Sequence, residues 1–487
     1  MPTLRTMQRK FITNLAFLLF LNLLIKPFWI FGIDRAVQNT VGAGEYGLYA
    51  ALFNFTFLFN ILLDLGITNF NNRNISQHNH LLNKYLSGII ILRIFLSAVY
   101  FIISLSIALL LGYRGSELWM LLILLLNQAL LSFILYLRSN LAGLHLFKTD
   151  SVISVLDRLL MIVACGVLLW GHVTEQEFQI TWFVGAQTGA YVLTAFVTML
   201  LVASKAKFNK INWNPKFLMV VVKHSYPFAI LILLMSFYNR IDSVMIERLL
   251  PDGATQAGIY AQAYRMLDAS NMIAYLFSGL LLPMFSHMIK RKQPLEELVS
   301  LSFSFIAVPA VIVISMCFFN AHNIMGMLYH AHVEESAVVL QMVMSCFLAI
   351  SSVYIFGTLL TANGNLGQLN KVALSGMLLN ILLNLYFIPK MQAKGAAISS
   401  VITQYLTAGM QVWLAHRIFK FQFKWMLLLR YALFAIGTLF MFYIASQQGY
   451  DWKLMVLIAS AGSLAMAFLL LLIRPIELLK LVRAGEA

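Results

Sequence analysis

Charge is what this sequence has least of. Only 11% of its 487 residues are Asp, Glu, Lys or Arg, where a soluble domain carries about 25%. With a mean hydropathy of +0.82, that shortage excludes a soluble globule and leaves a polytopic membrane protein. Acids are scarcer than bases, 19 against 34. The resulting charge of +15 would suit nucleic acid if it were gathered in one patch. It is spread through short loops between apolar runs, so no nucleic-acid partner is implied. Cysteine is nearly absent. Cys165, Cys317 and Cys346 all lie inside apolar runs, which argues against a disulfide framework and a metal cluster. No G-x-x-x-x-G-K-[ST] segment occurs, so ATP hydrolysis by this chain is not expected, and no cofactor is implied. Asn39-Thr40-Val41 misses the glycan acceptor pattern at its third position. Long polar loops are lacking too. The longest outside loop, about residues 320–335, could hold no folded domain, which argues against a membrane enzyme.

Apolar runs are what the sequence has in abundance. A helix needs about 20 apolar residues to cross a bilayer, and about fourteen such runs can be counted. The first, residues 11–33, is long enough to span and lacks the small-residue cleavage site of a signal peptide. Asn363-Gly364-Asn365 and Gly367 interrupt the pattern just before the run near residue 370. If Arg5, Arg9 and Lys10 are inside, most Lys and Arg fall in inside loops. The outside loops hold only Arg35, Arg114, Arg248, Lys390, Lys394 and Lys453. That bias predicts an even number of spans with both termini in the cytoplasm.

The chain also repeats. Gly47-Leu48-Tyr49-Ala50 matches Gly258-Ile259-Tyr260-Ala261 at an offset of 211 residues, and Asn60 matches Asn271 at the same offset. NLAGLHLFKTDSV from Asn140 echoes LLTANGNLGQLNKV from Leu359 more weakly. The offset corresponds to about six helices, an even number, so the copies share one topology and are related by an axis along the membrane normal. The expected fold is an all-α integral membrane protein of two six-helix lobes plus a C-terminal helix pair. The lobes are residues 1–203 and 224–416, joined by a lysine-rich cytoplasmic linker, 204–223; residues 417–487 form the appended pair and tail.

Five bases, Lys26, Arg93, Arg158, Arg240 and Arg265, and four acids, Asp64, Asp157, Asp242 and Asp268, fall within the spans. Each costs about 2.5–3.5 kcal/mol at mid-bilayer unless it pairs or meets water. Lys26 precedes Pro27, where a proline kink could aim it into a cavity, or the lysine could snorkel outward. Arg265 and Asp268 are spaced to pair on one helix face. Tyr260, Tyr264, Asp268, Asn271 and Tyr275 form a polar-aromatic stripe, read as a cavity wall. In the first copy, Tyr49, Phe53, Phe57, Asn60 and Asp64 line the matching face, with Asn54 where the second copy has Arg265. Arg240 is a plausible site residue, and Asp242 echoes Asp34 at a helix end. Arg93 and Asp157-Arg158 read as interhelical structure. His330-Ala331-His332 with Glu334-Glu335 could bind a metal or form a solvated loop, the latter being preferred for want of a third ligand.

Taken together, the paired GLYA and GIYA helices, the Ile-Asp ending each preceding span, the cation in the first span and the two six-helix lobes resemble the multidrug/oligosaccharidyl-lipid/polysaccharide (MOP) flippase superfamily, most closely its polysaccharide or O-antigen branch. The resemblance implies that the first, second, seventh and eighth helices line a cavity with alternating access. The matching positions are Lys26, Asn54, Asn60, Asp64, Arg240, Arg265, Asp268 and Asn271. It implies a flippase of the bacterial inner membrane moving polyprenyl-pyrophosphate-linked oligosaccharide. The cations would take the pyrophosphate, and Tyr260, Tyr264 and the amides would take sugar. Membrane lipid, a coupling ion (H+ or Na+) and polymerase or glycosyltransferase partners follow from that reading. The alternative within the superfamily is a multidrug/cation antiporter, which would want an unpaired acid; Asp64 is the candidate.

Overall fold

The computed structural model describes residues 20–22, 24–68, 71–72, 75, 81–144, 146–171, 173, 175–206, 215–421 and 425–473. The N-terminal cations, Arg73, Lys207, Lys210 and the C-terminal tail lie outside them. Among the described residues there is no strand. After an entering helix seen at residues 20–22 and 24–28, the described residues hold, in order, α1 (Arg35–Leu58), α2 (Leu81–Leu110), α3 (Gly115–Gly143), α4 (Phe147–Trp170), α5 (Ile180–Ala203), α6 (Pro215–Leu249), α7 (Gly253–Lys290), α8 (Glu296–Leu328), α9 (Val333–Ala362), α10 (Leu366–Phe419), α11 (Trp425–Gln447) and α12 (Trp452–Leu469). A π-helical turn, Trp29–Asp34, leads into α1, and a 3-10 turn, Asn60–Leu63, follows it. Eleven of the helices are long and apolar enough to cross a membrane, so the chain is a multi-pass membrane protein.

Two helices bend where the chain must turn back. α10 has 54 residues, about 81 Å at 1.5 Å per residue, far more than a hydrocarbon core of about 30 Å. It breaks at Gln392, whose φ is 54°, between Pro389 and Gly395. A Cβ on Gly395 would stand 2.3 Å from the Phe387 carbonyl oxygen, so glycine lets the two arms fold together. The run through α1 breaks in the same way at Gly42, with φ 82°. Asn363-Gly364-Asn365 forms the turn between α9 and α10, with Gly364 at φ 82°.

The expected long outside loop is shorter than its polar residues suggested. α8 breaks at Asn320, with φ −121°, but resumes as helix to Leu328, and α9 starts at Val333, leaving residues 329–332 between them. His322 pairs with Glu334 at 3.3 Å and His332 with Glu335 at 3.6 Å. Among the described residues, no three potential ligands gather for a metal.

Packing divides the chain into two compact units, Met1–Gly258 and Ile259–Ala487. In the first, α6 lies along α1, α5 along α3 and α4, and α3 against α1. Its core is built from Ile67, Leu92, Leu96, Leu137, Leu141 and Ile153. In the second, α8, α9 and α10 pack in sequence, and the α11–α12 pair lies against α8. Val308, Phe434 and Ala467 bury one part of that seam, and Phe442 and Met455 another. Tyr431 shares a 2.6 Å hydrogen bond with Ser304 across it.

Candidate functional site

In the first unit, the π-helical turn places its aromatic and charged residues against α4. π-turns widen a helix by one residue and recur at functional sites; here the turn begins just after Pro27. Asn22 donates to Ser154 at 3.2 Å, fixing the entering helix on α4. Lys26 is half-buried and lies within the fields of Arg158 and Asp157 of α4. The Arg158 Nε is 3.8 Å from Asp157 Oδ2, and its Nη1 donates to the Tyr191 hydroxyl at 3.5 Å. Its guanidinium lies 5.5 Å from the centre of the Trp29 ring. Trp29 stacks on Phe183 at 5.9 Å, and Phe183 meets Tyr49 edge-on at 5.2 Å. Arg158 thus meets Asp157 beside an aromatic floor, with Lys26 near both. Arg158 bonds α4 to α5 through Tyr191, in keeping with its expected interhelical role, and it also lies near Lys26. A separation of 132 residues hid that proximity, and a base inside an apolar run was the only available sign.

A second polar seam joins α1 to α6. Asn54 donates to Ser243 at 3.1 Å, and Arg240 Nη1 donates to the Asn54 amide oxygen at 3.4 Å. The Arg240 guanidinium stands 5.7 Å from the Phe57 ring centre. Phe57 is the last ring of a ladder running Tyr49, Phe53, Phe57, with centroid spacings of 5.7 and 5.0 Å. Arg240 and Asn54 are therefore neighbours, as their placement among the site residues requires. Asp34 and Asp242 are both buried, and Asp34 accepts from the Tyr46 hydroxyl at 2.8 Å.

Asp64 does not continue the α1 stripe. The helix ends at Phe59, Asn60 opens the 3-10 turn, and residues 64–66 turn again. This swings the Asp64 carboxylate onto Arg93 of α2, with which it forms an ion pair. It also accepts from the Gly66 and Thr68 amides, each at 3.1 Å. Arg93 donates to the Ser132 carbonyl and hydroxyl at 2.9 Å and to the Thr68 hydroxyl at 2.7 Å, and lies 4.8 Å from the Tyr136 ring centre. Asp64 is thus part of an interhelical cluster of hydrogen bonds around one ion pair. Asn60 remains half-buried at the head of the turn.

In the second unit, α7 carries the remaining candidates. Arg265 and Asp268 form the expected pair, loosely, at 3.9 Å, and each is about one-fifth exposed. Tyr260 and Tyr264 lie ring to ring at 5.5 Å. Tyr260 is buried and shares a 3.3 Å hydrogen bond with Ser400, so it packs α7 on α10, whereas Tyr264 is half-buried. Asn271 has a buried side-chain oxygen that meets no donor among the described residues. Tyr275 is 63% exposed and touches Tyr354. The stripe is therefore graded from the core outward rather than uniformly lining one wall.

The first turns of α7, through Gly258, belong to the first unit, and there the two copies of the repeated motif meet. A Cβ on Gly47 would stand 1.8 Å from the Ala254 carbonyl oxygen and 2.4 Å from the Gly258 nitrogen. A Cβ on Gly258 would stand 2.0 Å from the Ala43 carbonyl oxygen. Gln38 closes the crossing by donating to the Gly258 carbonyl at 3.0 Å. The glycines of GLYA and GIYA thus let α1 and α7 touch backbone to backbone.

This bent, helical architecture with charged residues inside its spans is that of a polytopic membrane protein. The sequence profile of the family described as "Polysaccharide biosynthesis protein" matches residues 14–289, more than half of the chain. The chain belongs to that family. Its fold is shared with solved transporters of the MOP superfamily. Lipid II flippase MurJ, in an inward closed conformation, superposes with a TM-score of 0.70 at 14% identity, over 90% of this chain and 96% of that one. An inward-facing multidrug resistance MATE family transporter gives 0.62 at 13% identity, over 80% and 94%. A MOP superfamily transporter from Pyrococcus furiosus gives 0.56 at 14% identity, over 84% and 94%. A comparison with curated proteins finds no match.

Proposed function

We propose that this protein is a flippase that carries polyprenyl-pyrophosphate-linked oligosaccharide across the bacterial inner membrane by alternating access, for surface polysaccharide assembly. The observation that carries the reading is a local surplus of positive charge: half-buried Lys26 lies near Arg158, and the carboxylate close to them is Asp157. At low dielectric such a surplus is costly until an anion arrives. A pyrophosphate supplies that anion, and charge-assisted hydrogen bonds from Lys and Arg hold it. Sugar rings would meet the half-buried rings of Phe53 and Phe57, and the amides of Asn54 and Asn60. The first unit also offers Arg240; the second offers Tyr264, Arg265, Asp268 and Asn271.

Family membership and the fold shared with a lipid II flippase support a lipid-linked substrate over a free one. The drug/cation antiporter reading leaned on Asp64, which is neutralised by Arg93 and so offers no open acid to a cationic drug. In this reading the chain has fourteen spans, counting the two arms of α10 and the two halves of the run through α1 separately beside the other ten membrane helices, and both termini lie in the cytoplasm. A coupling ion, H+ or Na+, and neighbouring polymerase or glycosyltransferase enzymes complete the proposal.

The test is graded by charge. Lys26→Arg should keep most surface-polysaccharide assembly, and Lys26→Ala should lose most of it at matched protein level. One charge-assisted contact is worth about 1.5–3 kcal/mol, roughly tenfold or more in affinity. Equal activity in both variants would remove Lys26 from the site.

A further inference from the structure

Where α7 and α10 end, on one face of the second unit, the chain forms an open pocket of about 390 Å³. Its apolar wall is Leu295, which is buried, and the half-buried rings of Phe419 and Phe421. Those rings stack at 5.5 Å with an interplanar angle of 13°. Its polar rim is Lys292 and Lys420, both exposed, with Glu296 opposite them in charge. Lys290, Arg291 and Arg417 extend the basic surface around the mouth, against Glu297 alone. Trp413 and Trp425, 59% and 75% exposed, bracket the same helix ends. Exposed tryptophans mark the depth of lipid headgroups. The pocket therefore lies where a headgroup and the first carbons of its chains would be found.

We propose that this pocket binds one anionic glycerophospholipid of the phosphatidylglycerol type. Lys292 and Lys420 take the phosphodiester oxygens through charge-assisted hydrogen bonds. Glu296 accepts from the glycerol hydroxyls. The upper part of an acyl chain lies on the Phe419–Phe421 stack. The net positive rim selects a lipid with net negative charge over a zwitterionic one, because a basic cluster at the membrane surface attracts anionic headgroups. The site is separate from the charges inside the spans, so it stands or falls independently of the transported substrate.

Both lysines have left-handed backbones, φ 55° at Lys292 and 52° at Lys420, a conformation that glycine adopts freely. Lys292→Gly with Lys420→Gly therefore removes the charges without loss of folding. Native mass spectrometry of the full chain in detergent, with defined lipids added, reads the result. The wild type should retain one phosphatidylglycerol about tenfold more tightly than phosphatidylethanolamine. The glycine pair should lose that preference, as should the charge-only pair Lys292→Gln with Lys420→Gln. Lys390→Gln with Lys394→Gln, exposed at the bend of α10 and outside the pocket lining, should keep it. Equal retention of the two lipids, or undiminished phosphatidylglycerol binding in both double variants, would overturn the proposal. So would displacement of the lipid by glycerol 3-phosphate at the same concentration, which would make the site one for a free phosphate.

Discussion

Arg93 and Asp64 depend on each other in a way that single and double substitution can separate. Arg93→Ala leaves the Asp64 carboxylate inside the membrane without its cation and also removes the donors to Ser132 and Thr68. Breaking a buried pair in this way costs about 3–5 kcal/mol. Arg93→Met with Asp64→Asn removes both charges and should recover most of that loss. Thermal unfolding in detergent measures both; a double variant no more stable than Arg93→Ala would mean the pair carries no mutual stabilisation. Arg265 and Asp268 invite the same cycle with a different readout. Arg265→Gln with Asp268→Asn leaves no charge stranded, so the protein should accumulate normally. If Arg265 holds the headgroup, polysaccharide assembly should still fail. Full assembly by that double variant at normal protein level would make Arg265 structural. The sequence gives the i,i+3 spacing of this pair directly. It gives no sign that Asp64 leaves the stripe, because no glycine or proline precedes the break at Phe59 and the helical period continues on paper.

At the scale of helices, the sensitive point is the crossing of α1 with the start of α7. Gly47→Ala or Gly258→Ala puts a methyl within 2.0 Å of a carbonyl oxygen of the other helix, so the backbones must part. Overpacking of this kind costs about 1–3 kcal/mol. Gly44→Ala on the same helix meets only Thr255 Oγ1 at 3.6 Å, an ordinary contact, and should be tolerated. Comparing melting temperatures of the three variants checks this; equal shifts would remove the crossing as the cause. The repeated GLYA and GIYA segments are plain in the sequence. Their direct contact is not, since one sequence does not say which distant segments touch. The two arms of α10 were legible as two spans, because Pro389 and Gly395 mark the turn. The outer end of α8 was legible only in part: the helix breaks at Asn320, where the sequence reads as loop, but resumes through His322 to Leu328, since a helix can carry polar residues on its last turns where they meet the interface.

For the whole molecule, sidedness comes first. A cysteine placed at Ala331, in the turn between α8 and α9, should react with an impermeant thiol reagent from outside the cell. Labelling from the cytoplasm alone would reverse every loop and the placement of the lysine-rich linker. The most direct measurement is translocation itself, in vesicles reconstituted with the purified full chain. Lipid-linked oligosaccharide placed in one leaflet should become accessible in the other to an enzyme or lectin that cannot cross the membrane. Lys26→Ala should slow this about tenfold, in keeping with one lost charge-assisted contact, and Lys26→Arg should largely restore it. The same vesicles should move no lipophilic cation. Vesicles that export the cation while the lipid-linked glycan stays in its original leaflet would contradict the proposed function and favour the antiporter.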